Sequence, residues 1–371
     1  MPPSIREPSF IFTMEREKAL KKIFAVSDIH GCADALKAAL GEAGFDKDNP
    51  DHLLVVVGDL FDRGPSNREV LAFLMTIKNK ILIRGNHEDI LYEVLKSGRV
   101  GDLQIINGAV NTVAEFFPYY CGGGIVDMRE GLHRQSRAML TRLIDSMWDF
   151  FETDNYIFTH GWLTEDAGEN DFRTAPAFKW HHARWSRWYN FYPYFPIPDG
   201  KALVVGHTPT VYARDFDATR GSGNFSIFRG ENMIAIDGAA VDTGRLNVLV
   251  VDDYVTLPHT FTVELSHSEY QLLEQDGMRV WLTLFDGEGR EYRRGDRITF
   301  VDRDRPAYHL TYKVNALRRY DSFDEAEDEY SPVELGYDLT YPRGFLASEM
   351  RKRYTPSEVM THGALAVELT H

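Results

Sequence analysis

Cysteine is almost missing from this chain: Cys32 and Cys121 stand alone among 371 residues. Two thiols cannot build a disulfide framework, so a reducing cytoplasm is the expected setting. No apolar run approaches the roughly 20 residues that a bilayer-spanning helix needs. The opening MPPSIREPSF carries charge and proline in place of an apolar core, so neither a membrane span nor a cleaved signal peptide is expected. Basic residues are scarce too, 41 against 56 acidic, for a net charge of −15. An extended nucleic-acid footprint needs a basic face, and that balance argues against one, while leaving room for a single phosphorylated group at a local basic spot. Apolar residues are plentiful at 43%, with 13% aromatic, which excludes wholesale disorder. The length suits one large domain with a small one, or two of ordinary size.

A strand-like apolar run ends in polar residues six times: KIFAVSDIHG (22–31), HLLVVVGDLFDRG (52–64), KILIRGNHE (80–88), NYIFTHG (155–161), KALVVGHT (201–208) and MIAIDGAA (233–240). With ADALKAALGEAGF and NREVLAFLMTIKN between them at i, i+3, i+4 apolar spacing, the pattern predicts an α/β layer fold with crossover helices. Residues 89–150 read as mainly helical, an insertion next to the site, and RLNVLVVDD (245–253) as a final strand. Beyond it, short alternating stretches such as TFTVELS, RVWLTLF, DRITFVD and ALAVELT, separated by turn signals, predict a β-rich second domain over 258–371. The acidic DSFDEAEDEYS (321–331) reads as a solvated helix or loop within it. Residues 1–21 form an N-terminal extension and 22–254 the first domain.

In an open α/β sheet the ligand site lies at the carboxyl ends of the strands. The runs deliver Asp28 and His30, then Asp59, Asp62 and Arg63, then Asn86 and His87, then His160 and His207, to such ends. On one sheet these side chains converge on one crevice, where burying so many ionisable groups is costly without cations. Two metal ions are the natural compensation.

SDIHG (27–31), GDLFDRG (58–64) and GNHE (85–88) resemble the three motifs of the phosphoprotein phosphatase branch of the calcineurin-like metallophosphoesterases, with 31 residues from Asp28 to Asp59 and 27 more to Asn86. THG (159–161) and GHT (206–208) supply two late histidines, and GHTPTV with IDGAAVDTGRLNVLVV is similar to the small bacterial and bacteriophage enzymes. The resemblance covers 22–253 and implies a β-sandwich flanked by helices. It implies that Asp28 and His30 bind one metal, that Asn86, His160 and His207 bind a second, and that Asp59 bridges them. Manganese, with iron or zinc as alternatives, suits that mixed ligation. The implied chemistry is in-line attack on a phosphate ester by a metal-activated hydroxide. Arg63 and, in RWSRW (184–188), Arg187 would clamp the phosphoryl oxygens. His87 would protonate the leaving alkoxide, with Asp62 fixing its tautomer. Ser27 departs from the family's glycine, with little local consequence expected.

Other features read structurally. His133, His181 and His182 have no motif around them and are expected solvated or in a core. Cys32 reads as a small buried hydrophobe. Asp237 sits between an outer role at the site and none. FKWHHARWSRWYNFYPYFPIP (178–198) reads first as rings packed over the sheet and second as a cleft wall for a base. Residues 258–371 resemble the ASCH domains of the PUA-like β-barrel class through DGMR, RRGDRITF, YDSFDEA and GALAVELT. Gly277 fits that family's G-x-K-x-x-E-x-R signature and Arg279 stands in its Lys position, but Leu282 and Leu284 replace its Glu and Arg, which speaks against the hydrolytic activity of that family. Nucleotide or RNA contact, or a shaping role at the cleft, stays open for this domain. The functional readings are a phosphomonoesterase acting on phosphoproteins or small phosphorylated substrates, a hydrolase of nucleotide or dinucleoside polyphosphates or nucleic-acid ends, and a non-catalytic binding protein.

Overall fold

The structure, a computed structural model, describes residues 16–118, 124–126, 131–163, 171–191, 197–215, 223–275, 277–337, 342 and 344–370. It divides into a unit of Lys18–Asn170 with Ala177–Val255 and a unit of Met1–Glu17, Asp171–Pro176 and Thr256–His371. No helix among the described residues is long and apolar enough to cross a membrane.

The larger unit opens with β1 (Lys18–Val26), α1 (Ala33–Glu42), β2 (His52–Val57), α2 (Asn67–Met75), β3 (Lys80–Ile83) and α3 (Asn86–Ser97). The helical stretch follows: β4 (Arg99–Val100), α4 (Asp102–Ile106), α5 (Ala109–Phe116), β5 (Gly124–Ile125) and α6 (Gly131–Ser146). Then come β6 (Phe150–Glu152), β7 (Tyr156–Thr159), α7 (Ala177–Arg184), α8 (Trp188–Phe191), β8 (Ala202–Val205), β9 (Phe228–Arg229), β10 (Met233–Ala235), α9 (Ala240–Thr243) and β11 (Leu249–Thr256).

All the strand-like runs are strands, but they do not share one sheet. One sheet has the order β11-β1-β2-β3 and the other β6-β7-β8-β10-β9, with β1, β2, β3 parallel in the first and β7, β8, β10 parallel in the second. The side-chain alternation shows why. Ile23, Ala25, Val55 and Val57 cluster with Phe158, Val204 and Ile234 of the second sheet. Their neighbours Phe24, Val26, Leu54 and Val56 cluster instead with Leu36, Val70, Leu91, Val113 and Leu140 from the helices. A strand apolar on both faces needs a layer on each side. Here one layer is helical and the other is a second sheet, giving a β-sandwich flanked by helices. The β3 edge is carried across to the second sheet by Trp148, whose N–H donates to Leu82 and whose carbonyl accepts from Arg84, at 2.8 and 2.7 Å.

The smaller unit contains β12 (Thr260–Leu265), α10 (His267–Gln275), β13 (Val280–Leu284), β14 (Arg297–Asp302), β15 (His309–Tyr320), α11 (Phe323–Glu329), α12 (Phe345–Arg353), α13 (Pro356–His362) and β16 (Ala364–Thr370). Its five-stranded mixed sheet runs β12-β14-β15-β16-β13, and among the described residues no ladder joins β12 to β13. Both faces are covered: Trp281, Ile298 and Val367 belong to one cluster, Val280, Leu282 and Leu284 to the other. Leu282 and Leu284 are therefore core positions, where the Glu and Arg of the ASCH signature would be buried. The acidic stretch is the helix α11, capped by Ser322 accepting from the Glu325 N–H at 3.1 Å, with Phe323 and Ala326 buried beneath it.

Two segments group differently from the sequence reading. Strand β1 begins inside the expected extension, at Lys18. Residues 16–17 and the turn Phe172–Thr174 belong to the smaller unit, where Leu257 N–H donates to the Glu17 carbonyl at 2.8 Å. Arg16 forks onto the buried Asp296 at 2.7 and 2.9 Å, and Asp296 also accepts from the N–H groups of His259 and Arg293 at 2.9 and 2.6 Å. Asp296→Ala strands that guanidinium and both N–H groups, so a loss of about 3–5 kcal/mol is expected, read as faster amide exchange across β14 and β15.

Candidate metal centre

Of the metal-ligand and catalytic candidates above, all but Arg187, which lies in the turn between α7 and α8, leave the carboxyl end of a strand. Asp28 and His30 follow β1, Asp59, Asp62 and Arg63 follow β2, Asn86 and His87 open the helix after β3, His160 follows β7 and His207 follows β8. Three of these ends belong to one sheet and two to the other, so the crevice lies where both sheets finish. Backbone bonds lace the first two loops: Asp28 N–H to Gly58, His30 N–H to Asp59, Gly31 N–H to Leu60 and Gly64 N–H to His30, at 3.0–3.1 Å. Asp28, His30, Asp59, Asp62, Arg63 and His207 all take the left-handed backbone region, with φ between 45° and 73°. Non-glycine residues persist there only where the surroundings over-determine them, and such strain gathers at functional sites. Two glycines allow the close approach. A Cβ on Gly58 would stand 2.4 Å from His160 Nδ1, and one on Gly85 2.1 Å from Asp59 Oδ1.

Asp59 is the centre of the arrangement. His160 Nε2 lies 3.3 Å from its Oδ1, and His30 and His87 Nε2 lie 3.6 and 3.9 Å from its Oδ2. Two groups able to hold an ion share it, His30–Asp59–His87 and Asp59–His160–His207, each with its ligand atoms within 4.8 Å of one another. Asn86 Oδ1 is 3.0 Å from His160 Nε2. His30 and His160 turn Nδ1 onto the carbonyls of Phe61 and Val57 at 2.8 and 2.9 Å, so Nδ1 carries a proton and Nε2 is the atom turned toward Asp59. Asp28 accepts from the His207 N–H at 3.0 Å, tying the first loop to the last. The group around His30 thus contains His87 where the sequence reading has Asp28.

Beside this pair runs a chain of side chains. Asp62 Oδ2 is 2.8 Å from His87 Nδ1, and His87 Nε2 is 2.9 Å from Arg63, whose other terminal nitrogen lies 3.1 Å from His30 Nε2. Thr112 donates to Asp62 Oδ1 at 2.5 Å, and the Asp62 N–H donates to Asn67 Oδ1 at 2.9 Å.

The electrostatics reveal a shortage of positive charge. Burial, with the Asp59 charge adding to it, pushes Asp28 up to about 6 and Glu88 up to about 7. Burial and the Asp28 charge push Asp237 well above the carboxylate range. Burial lowers His207 to about 3, with the His160 charge and Arg187 adding to it, and burial and His87 hold His30 well down. Burial opposes a charge on His160 as well, but Asp59 and Asp28 overcome it and raise this imidazole to about 10. Asp59, despite its burial, is held well below its usual range by His160 and His87. The cluster gathers a proton onto one histidine and pushes protons toward its carboxylates, the behaviour of an anionic site that divalent cations would neutralise. The donor set of imidazole nitrogens, carboxylates and an amide oxygen fits such ions.

Several contributors lay outside the sequence reading. Glu88 accepts from the N–H groups of Gly85, Asp59 and Leu60 at 2.8, 3.0 and 2.9 Å, pinning the second loop to the third; its only signal was the last letter of GNHE. Asn67 and Thr112 sit on helices and carried no signal. Exposed Arg187 is close enough for its charge to act on His207. Asp237 is buried with Oδ1 accepting from the Ala239 N–H at 2.7 Å. His181 is exposed yet pairs with Asp89 at 3.0 Å, His182 is exposed, and half-buried His133 lies 2.7 Å from the Pro118 carbonyl. Cys32 is half-buried and its thiol is pushed up by burial, while Cys121 lies outside the described residues. In the aromatic segment Trp180 stacks on Phe150 and Trp188 on Phe228, whereas Phe178 and Trp185 are exposed; residues 192–196 lie outside the described set.

His160 at about 10 holds a proton at pH 7, and a cation at its Nε2 must displace it. Adding Mn²⁺ to metal-stripped protein in unbuffered solution at pH 7 is therefore expected to release protons. Folding stability should rise as well, by about 2.7 kcal/mol at a hundredfold excess over Kd, read as a higher melting temperature. Gly58→Ala, which forces His160 aside, should weaken Mn²⁺ binding about 10–100-fold by calorimetry.

A family model described as calcineurin-like phosphoesterase matches residues 21–211. The bis(5'-nucleosyl)-tetraphosphatase PrpE [asymmetrical] of Bacillus subtilis (strain 168) is 28% identical over 220 residues, 52% of this chain and 82% of that protein. Serine/threonine-protein phosphatase 1 of Salmonella typhimurium is 37% identical over 101 residues, 27% of this chain and 45% of that protein. Among solved structures, the cold-active protein-tyrosine phosphatase of a psychrophile, Shewanella sp., aligns with a TM-score of 0.39 at 20% identity, covering 62% of this chain and 75% of that one. The matched residues are just over half of the 371, and the chain belongs to the calcineurin-like phosphoesterase family, as a metal-dependent hydrolase of phosphoric esters.

Proposed function

We propose that this chain is a dinuclear-metal phosphatase that hydrolyses phosphomonoesters, of phosphoproteins or of small phosphorylated substrates, in a reducing cytoplasm. The observation that carries it is the Asp62–His87–Arg63 chain standing beside two potential ion sites that share Asp59. Asp28, His30 and Asp59 would hold one ion, and Asp59, Asn86, His160 and His207 the other, with manganese as the preferred metal and iron or zinc as alternatives. Bound there, two divalent ions would supply an acidified water and neutralise phosphoryl charge. The chain's own groups do the rest. Arg63 donates to His30 and His87, so a ligand that takes the His30 lone pair frees one arm of the guanidinium for a phosphoryl oxygen. Arg187 would hold a second oxygen. His87, with Nδ1–H on Asp62, accepts from Arg63 at Nε2 here; once protonated at Nε2 it would give that proton to the leaving alkoxide, and the Asp62 carboxylate, held by Thr112, would stabilise the imidazolium.

A second reading, hydrolysis of dinucleoside polyphosphates or related nucleotide and nucleic-acid ends, is favoured by the name of the Bacillus subtilis relative, matched over 82% of its length. Exposed Phe178 and Trp185 offer rings on which a base could stack. The smaller unit, if it is an ASCH/PUA-like barrel, suits the same reading through nucleotide or RNA contact. A non-catalytic binding role is disfavoured by the intact Asp62–His87–Arg63 chain.

With Mn²⁺, p-nitrophenyl phosphate should be hydrolysed, and His87→Ala should lower kcat about 10²–10⁴-fold while Mn²⁺ still binds. Rates on phosphopeptides, dinucleoside tetraphosphate and 3′- or 5′-phosphorylated RNA, compared at equal enzyme, separate the two hydrolase readings. A wild-type protein that binds Mn²⁺ and turns over none of these would establish the binding role instead.

A further inference from the structure

Arg187 is exposed, yet its neighbours on both sides are anchored. Three residues before it begins a buried network. Arg184, the last residue of α7, forks onto Asp89 through Nε at 2.7 Å and Nη2 at 3.1 Å, and reaches Asp149 through Nη1 at 2.9 Å. Asp89, Arg184 and Asp149 are 4%, 6% and 8% exposed. Arg84 and His181 also pair with Asp89, at 2.6 and 3.0 Å. Burial opposes ionisation of Asp89, but His181, Arg184 and Arg84 prevail and hold it down to about 2. On the other side, Trp188 is buried and stacks on Phe228 with centroids 6.0 Å apart and planes at 18°. The connecting turn is tight: Trp185 and Ser186 donate N–H groups to His182 and Ala183 at 3.1 and 3.0 Å. Gly161, next to His160, presses on that turn, so that a Cβ there would stand 2.1 Å from the Ala183 carbonyl.

Asp89 lies one turn into α3, the helix that starts with Asn86 and His87. A fork between guanidinium and carboxylate sets both distance and orientation. A buried ion pair is otherwise a poor source of stability compared with apolar packing. We infer that Asp89, Arg184 and Asp149 are positioning residues, which hold Arg187 in register with Asn86 and His87 so that its guanidinium meets the phosphoryl group. The inference rests on the proposed phosphoryl clamp.

The test is a double-mutant cycle between Arg184→Met and Arg187→Ala in the Mn²⁺-loaded full chain, read as KM for p-nitrophenyl phosphate and as Kd for inorganic phosphate by calorimetry. Alone, Arg184→Met should weaken both about 10–100-fold, the usual scale for a misplaced group, with Mn²⁺ content unchanged. In the Arg187→Ala background the same change should cost less than about 2-fold, within the scatter of additivity. Arg184→Lys, which keeps the charge but not the fork, should fall between the two. Losses that multiply undiminished in the Arg187→Ala background, or Mn²⁺ lost from Arg184→Met, overturn the inference. Should Arg184→Met not fold, Asp89→Asn takes its place in the cycle. An inactive wild type would sink the phosphatase reading alone, because phosphate affinity decides this one without turnover.

Discussion

Asp59 carries a buried carboxylate within 4 Å of three imidazoles, and most of what surrounds it follows from making that placement tolerable. A charge so far from water needs compensation, and the chain provides it from both sheets. His30 and His87 come from one, His160 and His207 from the other. Because each imidazole of His30 and His160 spends its Nδ1–H on a strand or loop carbonyl, the Nε2 atoms are aimed before any ion arrives. The cost of pre-aiming is visible in the backbone, where Asp28, His30, Asp59, Asp62, Arg63 and His207 hold positive φ.

Strain of that kind persists only if something stiffer enforces it. Here the enforcement is the meeting of parallel strand ends, with the loops laced to each other and Glu88 collecting three N–H groups from two of them. The sandwich core below, from Ile23 through Val57 to Phe158 and Val204, leaves the strands no freedom to drift apart. The helical insertion serves the same end from the side: Thr112 steadies Asp62, and the Gly108 carbonyl accepts the Arg63 N–H at 3.1 Å. Packing, strain and chemistry are one arrangement seen at three scales.

Much of this was legible in the residues. Apolar runs ending in Asp, His or Asn marked both the strands and the side chains at their ends, and helix-period spacing located α1 and α2. The alternating stretches after residue 258 became β12 to β16. Legibility failed where a contact has no local signature. The runs by themselves pointed to one sheet and only the family resemblance implied the two-sheet sandwich that formed, because strands apolar on both faces say only that a layer lies on each side, not whether that layer is helix or sheet. Glu88 stood in a motif but its partners, the N–H groups of Asp59 and Leu60, lie nearly thirty residues back.

The amino-acid sequence by itself determined which atoms could do the chemistry, because ligand and acid–base character belong to residue types and their order along the chain. It determined the periodicity as well, and with it the elements. Only the tertiary structure decided that five strand ends from two sheets share one crevice, and that His87 joins His30 around Asp59. It also decided that Thr112 supports Asp62 across 50 residues and Asp89 grips Arg184 across 95. Those pairings depend on how whole layers pack, and packing is a property of all the side chains together.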